Sequence, residues 1–175
     1  LGRRFQKPCM GSGHQSTGMC THVLSTSLAD KMQDDGRFLL YFSAPTYHPN
    51  APHCIGTAIS DTIYGPYTPS EQSFACPYDQ GGAIDASGFR DGDGTRYVVY
   101  KLDANSLGFG GTCNNGIEPI ISTPILIQEV DSDGISKNGD AHQLITNDSP
   151  GDGPLVEGPS MIHAGDTYYL FYSSN

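Results

Sequence analysis

The chain has 175 residues, 37% of them apolar and 16% charged, with 22 glycines and 12 prolines. So much glycine excludes a helical bundle, and so little charge excludes a disordered chain. A net charge of −10 argues against nucleic acid and anionic membrane as partners, and no apolar run reaches the roughly 18 residues of a membrane span.

Residues 1–33 read as an unmatched, disordered N-terminal segment. They carry basic residues without the apolar stretch of a leader peptide. GSGHQSTG (Gly11 to Gly18) is no phosphate loop, because the Lys-Ser/Thr pair is missing. STSLADKMQ (Ser25 to Gln33) is expected to form a short helix. DGRFLLYFSA (Asp35 to Ala44) opens on a tight turn and continues as a dense aromatic and aliphatic run, the pattern of a hairpin's second strand. HCIGTAISD (His53 to Asp61) reads as a strand that ends at the turn cluster YGPYTPS. DGTRYVVYKLD (Asp93 to Asp103) repeats the first pattern. TPILIQEVD (Thr123 to Asp131) and AHQLIT (Ala141 to Thr146) read as strands, with DSDG, KNGD and NDSPGDGP as turns. AGDTYYLFYSSN (Ala164 to Asn175) gives the pattern a third time.

With Phe38, Tyr97 and Tyr168 aligned, aromatics recur three positions later at Tyr41, Tyr100 and Phe171. A repeating unit of about four strands in 60 to 70 residues predicts an all-β fold, a β-propeller. A sandwich would not need the similarity between repeats, and a β-helix would need a shorter period.

Two acids precede two of these strands at matching offsets. Asp85 lies twelve residues before Tyr97 in GGAIDASGFRDGDG, and Glu157 eleven before Tyr168 in PLVEGPSMIHAGD. Equivalent positions on the innermost strands of successive blades converge on the propeller axis. Two carboxylates in one pocket raise each other's proton affinity, so one can stay protonated and act as an acid. That is the chemistry of glycosidic bond cleavage. The alternative is that each acid caps a turn.

DGDG (Asp91 to Gly94) and DSDG (Asp131 to Gly134) lack the glutamate at position 12 of a calcium loop and read as hairpin turns. The six histidines have no metal-ligand spacing, and His53 and His163 are expected on strands or turns. Lys101, Asp103 and Asn105, in KLDANSLGFGG, are candidates for binding sugar hydroxyls at a pocket rim. Cys9, Cys20, Cys54, Cys76 and Cys113 contain no C-x-x-C pair, which argues against zinc. The odd count fits an extracellular protein with one or two disulfides and a spare thiol, or a reduced intracellular protein with scattered core cysteines; the lysine-poor, Gly/Ser/Asn-rich composition favours the first.

GRFLLYFSAP, HCIGTAISDTIYGPYTPS, ACPYDQGGAIDASGFRDGDGTRYVVYKLDANSLG, TPILIQEVDSDG and DGPLVEGPSMIHAGDTYYLFYSSN together resemble glycoside hydrolase family 43, five-bladed β-propeller enzymes acting on arabinans, xylans and related glycans. The resemblance covers residues 34–175 and implies about three of the five blades, with the first and last missing. It implies Glu157, in its Glu-Gly-Pro segment, as general acid. It implies Asp85 as the residue that tunes and orients that acid, although Ala86 stands where proline is common. It also implies an aspartate general base in a first-blade Asp-Pro motif, which residues 1–33 do not hold. Asp30 is only eight residues before Phe38, and the matching offsets hold Thr26 and Ser27, so the base is not found. The implied function is inverting hydrolysis of arabinofuranosyl, xylosyl or galactosyl units in plant-wall or related glycans. The alternative is a non-catalytic carbohydrate-binding propeller or an inactive fragment. No cofactor is required, a structural ion in the channel is an option the family offers, and a monomer with an oligo- or polysaccharide substrate is expected.

Overall fold

Ten β-strands, each antiparallel to its partners within a sheet, and three short 3-10 helices make up the regular structure among the described residues of the computed structural model. It describes residues 25–47, 51–148 and 151–174, with side chains from residue 33 onward. The first sheet runs β1 (Ser25–Met32), β2 (Phe38–Pro45), β3 (His53–Ser60) and β4 (Thr68–Pro69). The second runs β5 (Ala83–Arg90), β6 (Arg96–Leu102), β7 (Ile125–Val130) and β8 (Lys137–Ile145). A two-stranded sheet follows, β9 (Val156–Ala164) and β10 (Thr167–Ser174). Two four-stranded meanders and a further hairpin are partial propeller blades, the all-β architecture expected from the repeat.

The repeated aromatics explain themselves in the packing. Tyr41 of β2 and Tyr100 of β6 sit on the facing sides of the first two sheets, with Phe74 between them. Phe74 meets Tyr41 edge-on at 5.6 Å and Tyr100 edge-on at 6.2 Å. Leu39, Ile55, Val98, Leu102 and Val130 close the same core. Each such side chain contributes about 1.5–3 kcal/mol by leaving water. Phe171, the third member of the repeat, is 55% exposed.

Two expectations are corrected. Ser25–Met32 is a strand, not a helix: β1 finds its backbone partners on β2, from Ser25 opposite Ser43 to Met32 opposite Phe38, and a ladder outweighs the weak local helix preference. The KNGD segment is not a turn but the start of β8. Its irregularity is a bulge around Gly139, at φ +69°. Gln128 fills that bulge by donating to the carbonyls of Asn138 and Gly139. DGDG and DSDG are hairpin turns, closed by Gly94 N–H to Asp91 O at 3.0 Å and Gly134 N–H to Asp131 O at 2.9 Å. Cys54 and Cys76 form a disulfide, and Cys113 is free and exposed. Cys9, Cys20 and the GSGHQSTG stretch lie outside the described residues.

Candidate active site

All three sheets meet at the acids. Gly82, at φ +93°, runs alongside His53 of β3, and a Cβ there would come within 2.1 Å of the His53 carbonyl oxygen. Only glycine permits that approach, and it delivers the chain into β5 beside the first sheet. Asp85 then falls in a bulge, because β5 has one residue more than β6 between Ile84 and Ser87. Its φ is +59°, a left-handed conformation that costs a non-glycine residue about 1–3 kcal/mol. The bulge turns the carboxylate toward the third sheet. The Asp85 N–H donates to Ser43 Oγ of β2 at 3.2 Å, and its Oδ2 accepts the Gly158 N–H of β9 at 3.0 Å.

Glu157 is the residue before Gly158, at the start of β9, and β9 is bulged there in turn. The segment ahead of it is clamped by buried polar side chains. Asn115, fully buried, donates to Pro154 O at 2.6 Å and to Ile121 O at 2.8 Å. Asn147 donates to the same two carbonyls, and Thr123 Oγ1 accepts the Val156 N–H. Glu157 therefore projects from a fixed backbone, its side chain 36% exposed.

Lys101 and Asp103 join this pair, while Asn105 does not. Lys101 is not on a rim: it is 1% exposed, with its ammonium 3.5 Å from Glu157 Oε2. Asp103 is buried too, and its Oδ2 lies 3.3 Å from Nδ1 of His53. Asn105 instead braces the following loop by donating to Cys113 O, and its Oδ1 is buried without a hydrogen-bond partner.

Burial pushes the Asp85 carboxyl above the usual aspartate range, opposed by the Gly158 N–H and the Lys101 charge and reinforced by the Glu157 charge. Burial raises Asp103 likewise, against the pull of Lys101 and His53. A half-buried acid, a second acid 36% exposed and a buried cation 3.5 Å from the second can hold and deliver a proton.

Asp30 lies on β1 within an irregular stretch between Leu28 and Met32, five residues along from Ser25. Ser25 pairs with Ser43, the residue that holds Asp85. Among the described residues no group of three or more His, Cys, Asp or Glu is placed to hold a metal. His53 was expected only on a strand or turn. It begins β3, and its pairing with Asp103 spans 50 residues, a separation that leaves no local signal.

Solved structures with a similar fold include a family-43 enzyme. A thermostable family-43 glycoside hydrolase superposes with a TM-score of 0.66 at 27% identity, covering 83% of this chain and 44% of its own. An endo-1,4-beta-xylanase from Bacteroides thetaiotaomicron VPI-5482 gives 0.63 at 22% identity, covering 91% and 47%. An exo-1,5-alpha-L-arabinanase from a bovine ruminal metagenomic library gives 0.59 at 19%, covering 93% and 51%. The chain thus spans about half the length of these structures. No curated protein matches it. The model for "Glycosyl hydrolases family 43" matches residues 28–175, beginning six residues ahead of the boundary drawn from the sequence, and the chain belongs to that family.

Proposed function

We propose that this protein hydrolyses O-glycosyl bonds of plant-wall or related glycans, with Glu157 as proton donor and Asp85 as the residue that orients it. Glu157 protonates the departing glycosidic oxygen as the anomeric carbon gains oxocarbenium character. Asp85 holds the backbone beside Glu157 through the Gly158 N–H and adds a negative charge nearby. Water attacks from the opposite face with inversion, which requires a base about 6.5–9.5 Å from the acid. Arabinofuranosyl, xylosyl and galactosyl units are the proposed substrates, in keeping with the xylanase and arabinanase among the similar structures. We further propose an extracellular, monomeric protein. The Cys54–Cys76 disulfide supports the oxidising compartment.

The observation that carries this reading is the meeting of Asp85 and Glu157 across two sheets in a family-43 chain. A second reading, a carbohydrate-binding propeller without hydrolysis, is favoured by one feature: β1 carries Asp30 alone as an acid, away from the Ser25 end that borders the site. Nitrophenol release from aryl α-arabinofuranoside, β-xyloside and β-galactoside separates the two. We expect turnover of at least one by the wild type, lowered in Glu157→Gln by far less than the about 10²–10⁴-fold that loss of a general acid costs a poor leaving group, because nitrophenolate departs with little help from an acid. Sugar binding without release in either protein would favour the second reading.

A further inference from the structure

Lys101 is an unusual residue for its place. It sits in the middle of an apolar strand, Tyr97-Val98-Val99-Tyr100-Lys101-Leu102, and is 1% exposed. The pleat puts Val98, Tyr100 and Leu102 on the side of the first core, and Val99 and Lys101 on the other. If packing were all this position required, an aliphatic residue would meet the need without the cost of desolvating a charge. Three carboxyl groups lie within reach of its charge instead. Glu157 of β9 is 3.5 Å away, and both Asp85 of β5 and Asp103 of β6 feel its charge. His53 of β3 completes the set of titratable groups, through Asp103.

We propose that Lys101 is a positioning residue that acts through Glu157: its buried ammonium fixes the Glu157 carboxyl beside Asp85 and sets the pH range in which Glu157 holds its proton. The inference rests on Glu157 being the proton donor. It deepens that reading by making one lysine responsible for the balance among three acids. Two acids alone would repel, and Glu157 would swing away from Asp85 or take up a proton too readily to give it back. The ammonium, 3.5 Å from Glu157 Oε2, offsets one negative charge. In a working enzyme the alkaline limb of the kcat/KM profile reports this group.

The test is a titration of the Glu157 and Asp85 side-chain carboxyls by ¹³C NMR in the wild-type protein, Lys101→Met and Lys101→Arg. An opposite charge this close lowers a carboxyl by about 1–3 pH units. The Glu157 midpoint is therefore expected to rise by at least about one unit in Lys101→Met and to return toward the wild-type value in Lys101→Arg. Folded Lys101→Met with an unmoved Glu157 midpoint would overturn the proposal. Should Lys101→Met fail to fold, the wild type still decides: the ε-methylene resonances of Lys101 must shift with the Glu157 midpoint, and independent midpoints would overturn the proposal. The titration needs no turnover. A moved midpoint in a protein that hydrolyses nothing would uphold the role of Lys101 and count against the glycosidase reading alone. In an active protein, Lys101→Met should shift the alkaline limb upward, which a merely structural lysine would not do.

Discussion

Asp85 combines two costs at one residue: a left-handed backbone and a half-buried carboxyl. Both are tolerated where geometry matters more than stability. A carboxyl whose folded pKa lies above its unfolded value destabilises the fold wherever it is charged. Stability on its account is greatest below the unfolded value, about 3.9, and falls as pH rises through the folded one. Asp85→Asn keeps an oxygen for the Gly158 N–H and removes the charge. It is expected to melt above the wild type at pH 7, with the gap narrowing as pH falls toward 3.8. Thermal melts from pH 3 to 8 check this, and a pH-independent gap would rule out the buried charge as its cause. The acid pair was legible in the sequence, because Asp85 and Glu157 precede their aromatic strands by nearly equal distances. The burial of Lys101 and Asp103 was not. Alternation along β6 assigns a face to each residue but says nothing about what covers that face, and the cover comes from β9 and β3, some 50 residues away in either direction.

At the scale of elements, strands were easier to read than their irregularities. Branched and aromatic runs mark β2, β3, β6, β7 and β10 directly. β1 was misread because its ladder with β2, and not its own propensity, decides its conformation. Gly139 made the start of β8 look like a turn, when it serves a bulge. The segment leading to Glu157 depends on Asn115, whose side chain bonds Ile121 N–H and the carbonyls of Ile121 and Pro154. Asn115→Ala leaves these groups buried with fewer partners, at about 1–3 kcal/mol for each that goes unsatisfied. At about 2–4 °C per kcal/mol for a chain of this size, the melting temperature should fall by several degrees. If Asn115 also fixes Glu157, turnover in the variant should fall at temperatures where it is still fully folded. Circular dichroism melts paired with rates at 25 °C separate the two effects. An unchanged melting temperature would contradict the clamp.

At the scale of the whole molecule, the first two sheets interlock through Tyr41, Phe74 and Tyr100, and the third sheet leaves one face open. Tyr169 pairs across the hairpin with Ile162, and the two are each 47% exposed; Phe171 beside them is 55% exposed. This is a contiguous apolar surface, unlike the isolated Tyr64, which is 95% exposed. The 175-residue chain should therefore bind the dye ANS in its native state. Replacing Tyr169 and Phe171 together by serine should lower that fluorescence well below the effect of Tyr64→Ser. Equal effects would mean that the β10 surface is not the binding patch. The repeat made the blades legible from the sequence. It could not reveal that the third aromatic strand has one bare face, since all three copies carry the same kind of aromatic run.

If Glu157 donates a proton to the leaving group, the effect of losing it must depend on how poor that leaving group is. A dinitrophenolate departs without protonation, whereas a sugar alkoxide does not. Rates for wild type and Glu157→Gln should be compared on a dinitrophenyl glycoside and on an oligosaccharide of the same sugar. A loss of about 10²–10⁴-fold is expected on the oligosaccharide and a far smaller one on the aryl glycoside. Equal losses on both substrates would contradict it, and Glu157 would then be a residue that binds the sugar without protonating its leaving group.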